Sequence, residues 1–211
     1  MNPIWIWLAA LVGYAAFSGW YWNWRGPLTQ AEVDEGLAAL ERTDNHDAEV
    51  LSTMRAFLEA DDGREFLMVN LLRLTPGMVT PPGGGPPENP REMLERYSAP
   101  FLGALLRRAG HPAFIGAAAA GGYLEQWGVE KNPGWTAAAA IRYRSRRDLL
   151  AMATMPGFES IHAFKKAGLA NTLAFPVSPA RVVVGPVIAA PLGFALLAAL
   201  GHLALRALGG S

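Results

Sequence analysis

Residues 64–74 read REFLMVNLLRL, an almost unbroken apolar run of strand length with one amide, Asn70, in its middle. The run lies between DDG at residues 61–63 and TPG at residues 75–77, and these turn-forming residues limit it to about ten residues. Periodicity alone is also compatible with a buried helical segment, but the length and the flanking residues favour a strand. We therefore predict a buried central strand in an α+β domain.

The amino-acid composition excludes several classes of function. The 211-residue chain has 18 basic and 18 acidic residues and no cysteine. The balanced charge gives no reason to expect a nucleic-acid partner, and the lack of cysteine excludes disulfides, thiolate catalysis and cysteine-ligated metals. Acidic residues are concentrated in residues 26–65, eleven against three bases, which we interpret as a solvated helix face.

Two uncharged runs are long enough to cross a bilayer of about 30 Å and contact membrane lipid. The first covers residues 3–22, and the second covers residues 182–205, where Pro186 and Pro191 predict a kink. A cleaved signal peptide is the alternative for the first run, but it normally has a basic start and a shorter apolar core. Aromatic and basic side chains at the ends of the runs are the predicted membrane anchors: Trp5, Trp7, Trp20, Trp22, Trp24, Arg25, Arg181 and Arg206.

Charge near the two runs predicts the orientation. Two spans place both termini on one side and the domain on the other. The basic residues that flank the spans on the domain side are Arg25, Arg42, Lys165, Lys166 and Arg181, whereas Arg206 lies on the other side. Because basic residues favour the cytoplasmic side, we expect the domain to be cytoplasmic.

The chain divides into four predicted segments. They are a transmembrane helix at 1–25, an acidic helical neck at 26–63, a domain at 64–180 with a mobile Pro/Gly-rich loop at 75–90, and a second transmembrane helix at 181–206. The neck is predicted to hold two helices, one after the capping box of Thr29 and Glu32 and one over residues 47–60. The domain elements are a strand at 64–74, a helix at 91–108, a long or bulged strand at 114–127, a strand at 135–143, a helix at 146–154 and a strand at 171–177. Their order, β-α-β-β-α-β, is typical of the ferredoxin-like arrangement.

Three stretches resemble a known family: MVNLLRL at 68–74, ERYSAPFLGALLRRAGHPAFIG at 95–116 and AAIRYRSRRDLLAMATMPGFESIHAFKKAGLANT at 139–172. They are similar to a bacterial family of unknown function in the dimeric α/β-barrel superfamily, which also contains the antibiotic-biosynthesis-type monooxygenases. The resemblance covers about residues 64–177. It implies a homodimer in which two sheets close face to face into a barrel with a pocket in each half. The two predicted spans lie outside the resemblance, and we expect them to cross a bacterial inner membrane. The resemblance implies no reaction.

Alternation along the central strand places Asn70 on one face with Phe66, Met68 and Leu72. If this face lines the barrel interior, the amide needs a protein, water or ligand partner. The candidate ligand contacts are Asn70, Tyr97, Trp127, Arg142 and His162, and each of them is also compatible with a core or rim residue. The four histidines have no metal-ligand spacing, the serines lack a nucleophile-elbow frame, and no metal or cofactor is predicted.

Two function hypotheses follow. In the first, the membrane-anchored domain binds a small apolar ligand in a dimer barrel, as a binding module or a cofactor-free oxygenase or isomerase. In the second, the chain is an accessory subunit of a larger membrane complex, because its two spans carry no internal charge and could not conduct ions alone.

Overall fold

The computed structural model describes residues 4–43, 47–120, 122–128, 134–178 and 185–209. These residues belong to two compact units, one formed by residues 1–24 with 181–211 and the other by residues 25–180. The elements in chain order are α1 (Ile4–Tyr21), α2 (Gln30–Thr43), α3 (Ala48–Glu59), β1 (Phe66–Leu74), α4 (Pro90–Arg107), β2 (His111–Ala117), β3 (Ala137–Tyr143), α5 (Arg146–Ala153), α6 (Phe158–Gly168), β4 (Leu169–Val177) and α7 (Pro186–Gly209).

The first unit is the helix pair α1 and α7. Both helices are long and apolar enough to cross a membrane, and only 6% of either apolar window is buried, so neither is the covered core helix of a soluble domain. Pro186 is the first residue of α7, and Pro191 lies inside the helix. The predicted anchor Arg181 lies outside the described residues.

Small residues let α1 and α7 approach each other. A Cβ atom on Gly13 would lie 2.8 Å from the Phe194 ring, so the absence of a side chain at Gly13 lets this ring pack against the α1 backbone. Near the start of α1, a Cβ atom on Gly201 would be 3.4 Å from the Ile6 side chain. A polar contact also joins the helices, because the Trp7 Nε1–H donates to Nδ1 of His202 in α7 at 3.3 Å.

The second unit is built on a four-stranded antiparallel sheet with the order β2-β3-β1-β4. The predicted central strand is confirmed: β1 pairs with β3 on one side and with β4 on the other, and Asn70 lies opposite Ala139 and Ala174. The α+β class predicted from the sequence is confirmed at this level.

One face of the sheet is covered by helices. Phe66 is fully buried there, stacked on Tyr143 with ring centroids 5.1 Å apart and in edge contact with Phe57. This face and the helices above it form the main core, whose buried members are Phe66, Phe101, Ala104, Leu105, Ala139, Ile141, Tyr143 and Met152. Because side chains alternate along a strand, every second residue of β1 after Phe66 shares this face, and the residues between them point to the opposite face.

The opposite face, which we call the open sheet face, is apolar at its centre, and its large apolar side chains are half-buried or exposed. Register and alternation assign to it Leu67, Val69, Leu71, Phe114, Ala138, Ala140, Leu173, Phe175 and Val177. Phe114 is 52% exposed, Leu173 49% and Phe175 43%, and the β1 side chains are half-buried. Large apolar side chains this exposed on one face of a sheet form a patch that monomeric soluble proteins rarely carry.

The acidic neck packs on the sheet unit. The capping box is confirmed, since the Thr29 N–H donates to Glu32 Oε2 at 2.9 Å and the Glu32 N–H donates to Thr29 Oγ1 at 3.3 Å. Leu37 of α2 and Leu58 of α3 form a second core cluster with Leu150 of α5. The neck and the sheet therefore belong to one compact unit.

Two arginines at the start of α5 hold the neck. Arg147 donates to both Glu32 carboxylate oxygens at 2.9 Å and to two backbone carbonyls of the neck at 3.1 and 3.0 Å. Arg146 pairs with Asp61 at 3.5 Å, and its guanidinium lies 4.4 Å from the centroid of the Phe57 ring. Glu32 and Asp61 face the domain, so the prediction of a solvated face is wrong for them.

Three other predictions need correction. The strand predicted over 114–127 ends at Ala117, because β3 begins at Ala137 and leaves residues 122–128 no strand to pair with. The same strand begins earlier than predicted, at His111, because Pro112 is tolerated on an edge strand. Two helices, α5 and α6, replace the single helix before β4.

The Pro/Gly-rich loop is also more structured than its composition predicts. An antiparallel bridge closes it, with the Val79 N–H donating to the Glu88 carbonyl at 2.9 Å and the Glu88 N–H to the Val79 carbonyl at 2.8 Å. Arg96 of α4 pairs with the Glu88 carboxylate at 2.7 Å. The loop is thus tied both to itself and to the helix that follows it.

The neck contact predicts a pH-dependent stability. The Arg147 guanidinium, with help from the Thr29 N–H, lowers the pKa of Glu32 from 4.5 to about 2. A lowered carboxyl pKa stabilises the folded state above pH 4.5, and this stabilisation disappears as the pH falls towards 2. Glu32→Gln should therefore cost about 1 kcal/mol at about pH 6 and almost nothing near pH 2, measured by thermal unfolding of the detergent-solubilised chain.

Asp34→Asn is the matched control for this measurement. Asp34 lies on the same helix and pairs with Arg55, but both side chains are about half exposed, so the substitution should change stability little at either pH. A Glu32→Gln cost that stays constant across this pH range would contradict the ion pair with Arg147.

Candidate functional site

The sequence-predicted ligand contacts do not converge on one pocket. Of the five, Tyr97 and His162 make a direct contact, with ring centroids 6.1 Å apart between α4 and α6. Asn70, Arg142 and Trp127 occupy three other environments.

The two contacting residues belong to an aromatic group that we call the Tyr97 cluster: Tyr97, Phe101, Phe158, His162 and Lys165. Tyr97 stacks on Phe101 at 5.2 Å, and His162 stacks on Phe158 at 5.3 Å. Lys165 Nζ lies 5.5 Å from the centroid of the Tyr97 ring. The cluster residues of α6 are spaced by four and three positions, which puts them on one helix face.

A glycine sets the distance between the two helices. A Cβ atom on Gly168, the last residue of α6, would lie 2.9 Å from the Pro90 carbonyl oxygen and 3.1 Å from the Met93 Cβ. Any larger residue would push α6 away from the start of α4. The close approach brings the α6 side chains onto the Tyr97 ring.

Burial changes the protonation behaviour of two cluster members. It raises the pKa of the Tyr97 hydroxyl well above its usual range, so this residue stays neutral at physiological pH. It lowers the pKa of the Lys165 ammonium below its ordinary value. Sequence analysis counted Lys165 only as a base near the membrane; the helical spacing from Phe158 to Lys165 was the signal that it faces α4.

Asn70 lies on the helix-covered face of the sheet, because Phe66 and Met68, at alternate positions before it, pack into the helical core. The condition that its face lines an open barrel interior is therefore not met. Its Nδ2 donates to the Met68 carbonyl of the same strand at 2.9 Å. This contact favours the structural interpretation of the amide.

Arg142 is a buried structural residue with 3% of its surface exposed. Its Nε and Nη2 lie 2.5 Å from Glu65 Oε2, and its Nη1 donates to the Ala109 carbonyl at 2.5 Å. Ala109 has a φ of 57°, a left-handed conformation that is uncommon for a non-glycine residue. The guanidinium thus connects β3 to the turn before β2 and to the start of β1.

Trp127 is 80% exposed and lies in the segment 122–128, outside the strands. A cavity of about 390 Å³ lies at the ends of β2 and β3, and Trp127 does not line it. Arg91 is its charged lining residue, and the Tyr123 hydroxyl accepts a hydrogen bond from the Trp135 N–H at 2.9 Å.

Among the described residues, no group of three or more His, Asp or Glu side chains could hold a metal ion. The side chains of the Tyr97 cluster pack against one another through their aromatic rings.

No protein-family model and no curated protein match the chain. Two solved structures are similar to it. The crystal structure of methylated RPA0582 protein has a TM-score of 0.53 at 18% identity and covers 67% of this chain and 97% of that chain. The crystal structure of RPA0582, a protein of unknown function from Rhodopseudomonas palustris, has a TM-score of 0.49 at 19% identity and covers 66% and 98%. The first likeness establishes a shared fold for two thirds of the chain.

The Arg142 contacts predict a large stability effect. Arg142→Met keeps the apolar stem but leaves the Glu65 carboxylate, which is 27% exposed, and the Ala109 carbonyl without the guanidinium. We expect a loss of about 3 kcal/mol, at the lower end for a broken buried pair because Glu65 is partly solvated. Urea unfolding of the detergent-solubilised chain measures it.

Arg64→Met is the control, since Arg64 precedes Glu65 and is exposed. The double variant Arg142→Met/Glu65→Gln should recover part of the loss, because it removes the isolated charge. Equal stabilities of Arg142→Met and Arg64→Met would show that the Arg142 contacts with Glu65 and Ala109 do not stabilise the fold.

Proposed function

We propose that the chain is a membrane-anchored ferredoxin-like module that dimerises through its open sheet face and binds a small apolar molecule between the two sheets. The observation that carries the proposal is the exposure of large apolar side chains on that face, up to 52% for Phe114. Removing apolar surface of this kind from water is favourable by about 25 cal/mol for each Å².

The strand order supports the ferredoxin-like part of the proposal. β3 lies between β1 and β2, and β4 lies on the other side of β1, with all neighbours antiparallel. The helices that follow β1 and β3 pack on one face through Phe101, Leu105 and Met152. This arrangement leaves the other face for a second layer.

A second copy is the partner that the face suits best. The centre of the face consists of Leu, Val, Ala and Phe side chains, and polar groups lie at its ends: Arg73 donates to Asn171 at 3.5 Å at one end, and Arg142 pairs with Glu65 at the other. An apolar centre with a polar rim is the usual anatomy of a protein interface. A two-fold arrangement places the same patch on both subunits and needs no other partner.

The ligand in this proposal is apolar, because the open sheet face carries no charged side chain at its centre. Val69, Leu71 and Phe175 are the central side chains that would touch the ligand. Asn70 lies on the other face of the sheet, and Tyr97 and His162 belong to the helices that cover that other face, so none of the three enters this space. A cofactor-free oxidation or isomerisation is the chemistry that we associate with such a site.

The membrane location in the proposal is the bacterial inner membrane, with the second unit in the cytoplasm. The two apolar helices and the excess of basic residues on the domain side of the spans support this orientation.

Dimerisation can be tested on β4. Phe175→Asp places a charge on the open sheet face, whereas Thr172→Asp places the same charge on the same strand but on the opposite face, where Thr172 is also exposed. We expect a dimer for the wild type and for Thr172→Asp and a monomer for Phe175→Asp, because a buried unpaired carboxylate opposes association. Native mass spectrometry from mild detergent gives the subunit number.

A monomeric wild type, or a dimer that survives Phe175→Asp, would contradict the proposed interface. A native assembly that contains other chains would favour the alternative function, an accessory subunit of a larger membrane complex.

Ligand binding has a separate test. A panel of quinone-like and polyketide-like aromatic compounds should include at least one that raises the thermal midpoint of the wild type and of Thr172→Asp but not of Phe175→Asp. A ligand at about 100 times its dissociation constant adds about 2.7 kcal/mol of stability. If no compound shifts the wild type, or if the shift persists in Phe175→Asp, the open sheet face is not the binding site.

A further inference from the structure

Lys165 has an unusual environment for a lysine. It lies on the face of α6 that packs on α4, and its Nζ lies 5.5 Å from the centroid of the Tyr97 ring. Its side chain makes no hydrogen bond or ion pair with any residue in the part of the chain that the structure describes. The Tyr97 ring thus lies beside the amine, where a carboxylate would normally pair with it.

Two effects on the charge of Lys165 oppose each other. The Tyr97 ring attracts the ammonium form, whereas burial penalises it. Burial is the larger effect and lowers the pKa of Lys165. At neutral pH, the fraction of Lys165 side chains that carry a neutral, nucleophilic amine is therefore larger than for an exposed lysine.

The amine nevertheless reaches solvent. Within the described residues, no fully buried side-chain nitrogen or oxygen lacks a hydrogen-bond partner. Since Lys165 Nζ has no such partner, it is not fully buried. The side chain of Lys165 is half-buried, and its nitrogen keeps some contact with solvent.

We infer that Lys165 is a nucleophilic amine that condenses with small apolar carbonyl compounds. The nitrogen lone pair attacks the carbonyl carbon to form a carbinolamine, and loss of one water molecule gives the imine. Both hydrogens of the amine leave with the carbonyl oxygen as water, so the step needs no oxidant or reductant.

The neighbours of Lys165 define the substrate class. The Tyr97 ring lies beside the amine and continues through His162 to Phe158, so the Tyr97 cluster offers an aromatic wall on one side of Lys165. Tyr97 stays neutral because its pKa is raised, so it adds no negative charge that would attract a cationic substrate. An aromatic aldehyde combines the reactive group and the ring that this wall suits. The site lies on the helix-covered side of the sheet and does not depend on the proposed dimer.

The chain provides its own reference for a test. Its lysines are Lys131, Lys165 and Lys166, and Lys166 is the exposed neighbour of Lys165 on the same helix. The full chain in phosphatidylcholine nanodiscs is treated at about pH 7 with benzaldehyde and sodium cyanoborohydride, which reduces each imine to a stable benzylamine. Fragment-ion mass spectrometry then measures the labelling rate at each lysine in the wild type.

We expect Lys165 to be labelled faster than Lys166, since a lowered pKa leaves more of the Lys165 amine neutral at this pH. With formaldehyde, which has no ring, the preference should be smaller. Lys165→Arg should remove the fast phase and Lys166→Arg should retain it.

Equal or slower labelling of Lys165 in the wild type would overturn the inference, and this result does not depend on whether a variant folds. An equal preference with benzaldehyde and formaldehyde would overturn the assignment to apolar carbonyl compounds.

Discussion

The burial of Phe66 between Phe57 and Tyr143 determines which face of the sheet becomes the core. Phe66 is fully buried, and Tyr143 stacks on it from the neighbouring strand at 5.1 Å. Because alternate residues of a strand point to opposite faces, this contact commits Asn70 to the helix side and Val69 to the other. A shift of one residue in the pairing of β1 would exchange the two faces. The packing of the Phe66 ring therefore also determines which apolar surface stays uncovered.

Local patterns in the sequence predicted most of the elements. The capping box of Thr29 and Glu32, the breakers around residues 64–74 and the helical spacing in α4 each depend on neighbouring residues, and all three predictions are confirmed. The strand predicted over 114–127 was wrong because pairing is not local. The start of β3 at Ala137 determines the residue at which β2 ends, because β2 pairs with β3.

The candidate site was harder to predict for the same reason. Arg142 and Glu65 are far apart in the sequence, and neither residue carries a local sign that they form a pair. The environment of Lys165 depends on the close approach of two helices at Gly168, a distance that no periodicity specifies. Aromatic residues with polar tips are rare enough to notice in a sequence, but only the packing of α6 on α4 decides which of them meet.

The composition of β1 is the strongest reason to look for a second layer on the open sheet face. A strand with one covered face usually alternates apolar and polar residues, whereas a strand that is buried on both faces is apolar throughout. Apart from Asn70 and Arg73, every residue of β1 is apolar, yet among the described residues of the second unit helices cover its Phe66 side and not the other side. The exposed Leu173 and Phe175 on the neighbouring strand extend the same surface. The sequence thus carries apolar side chains for a second layer that the described residues of the sheet unit do not supply.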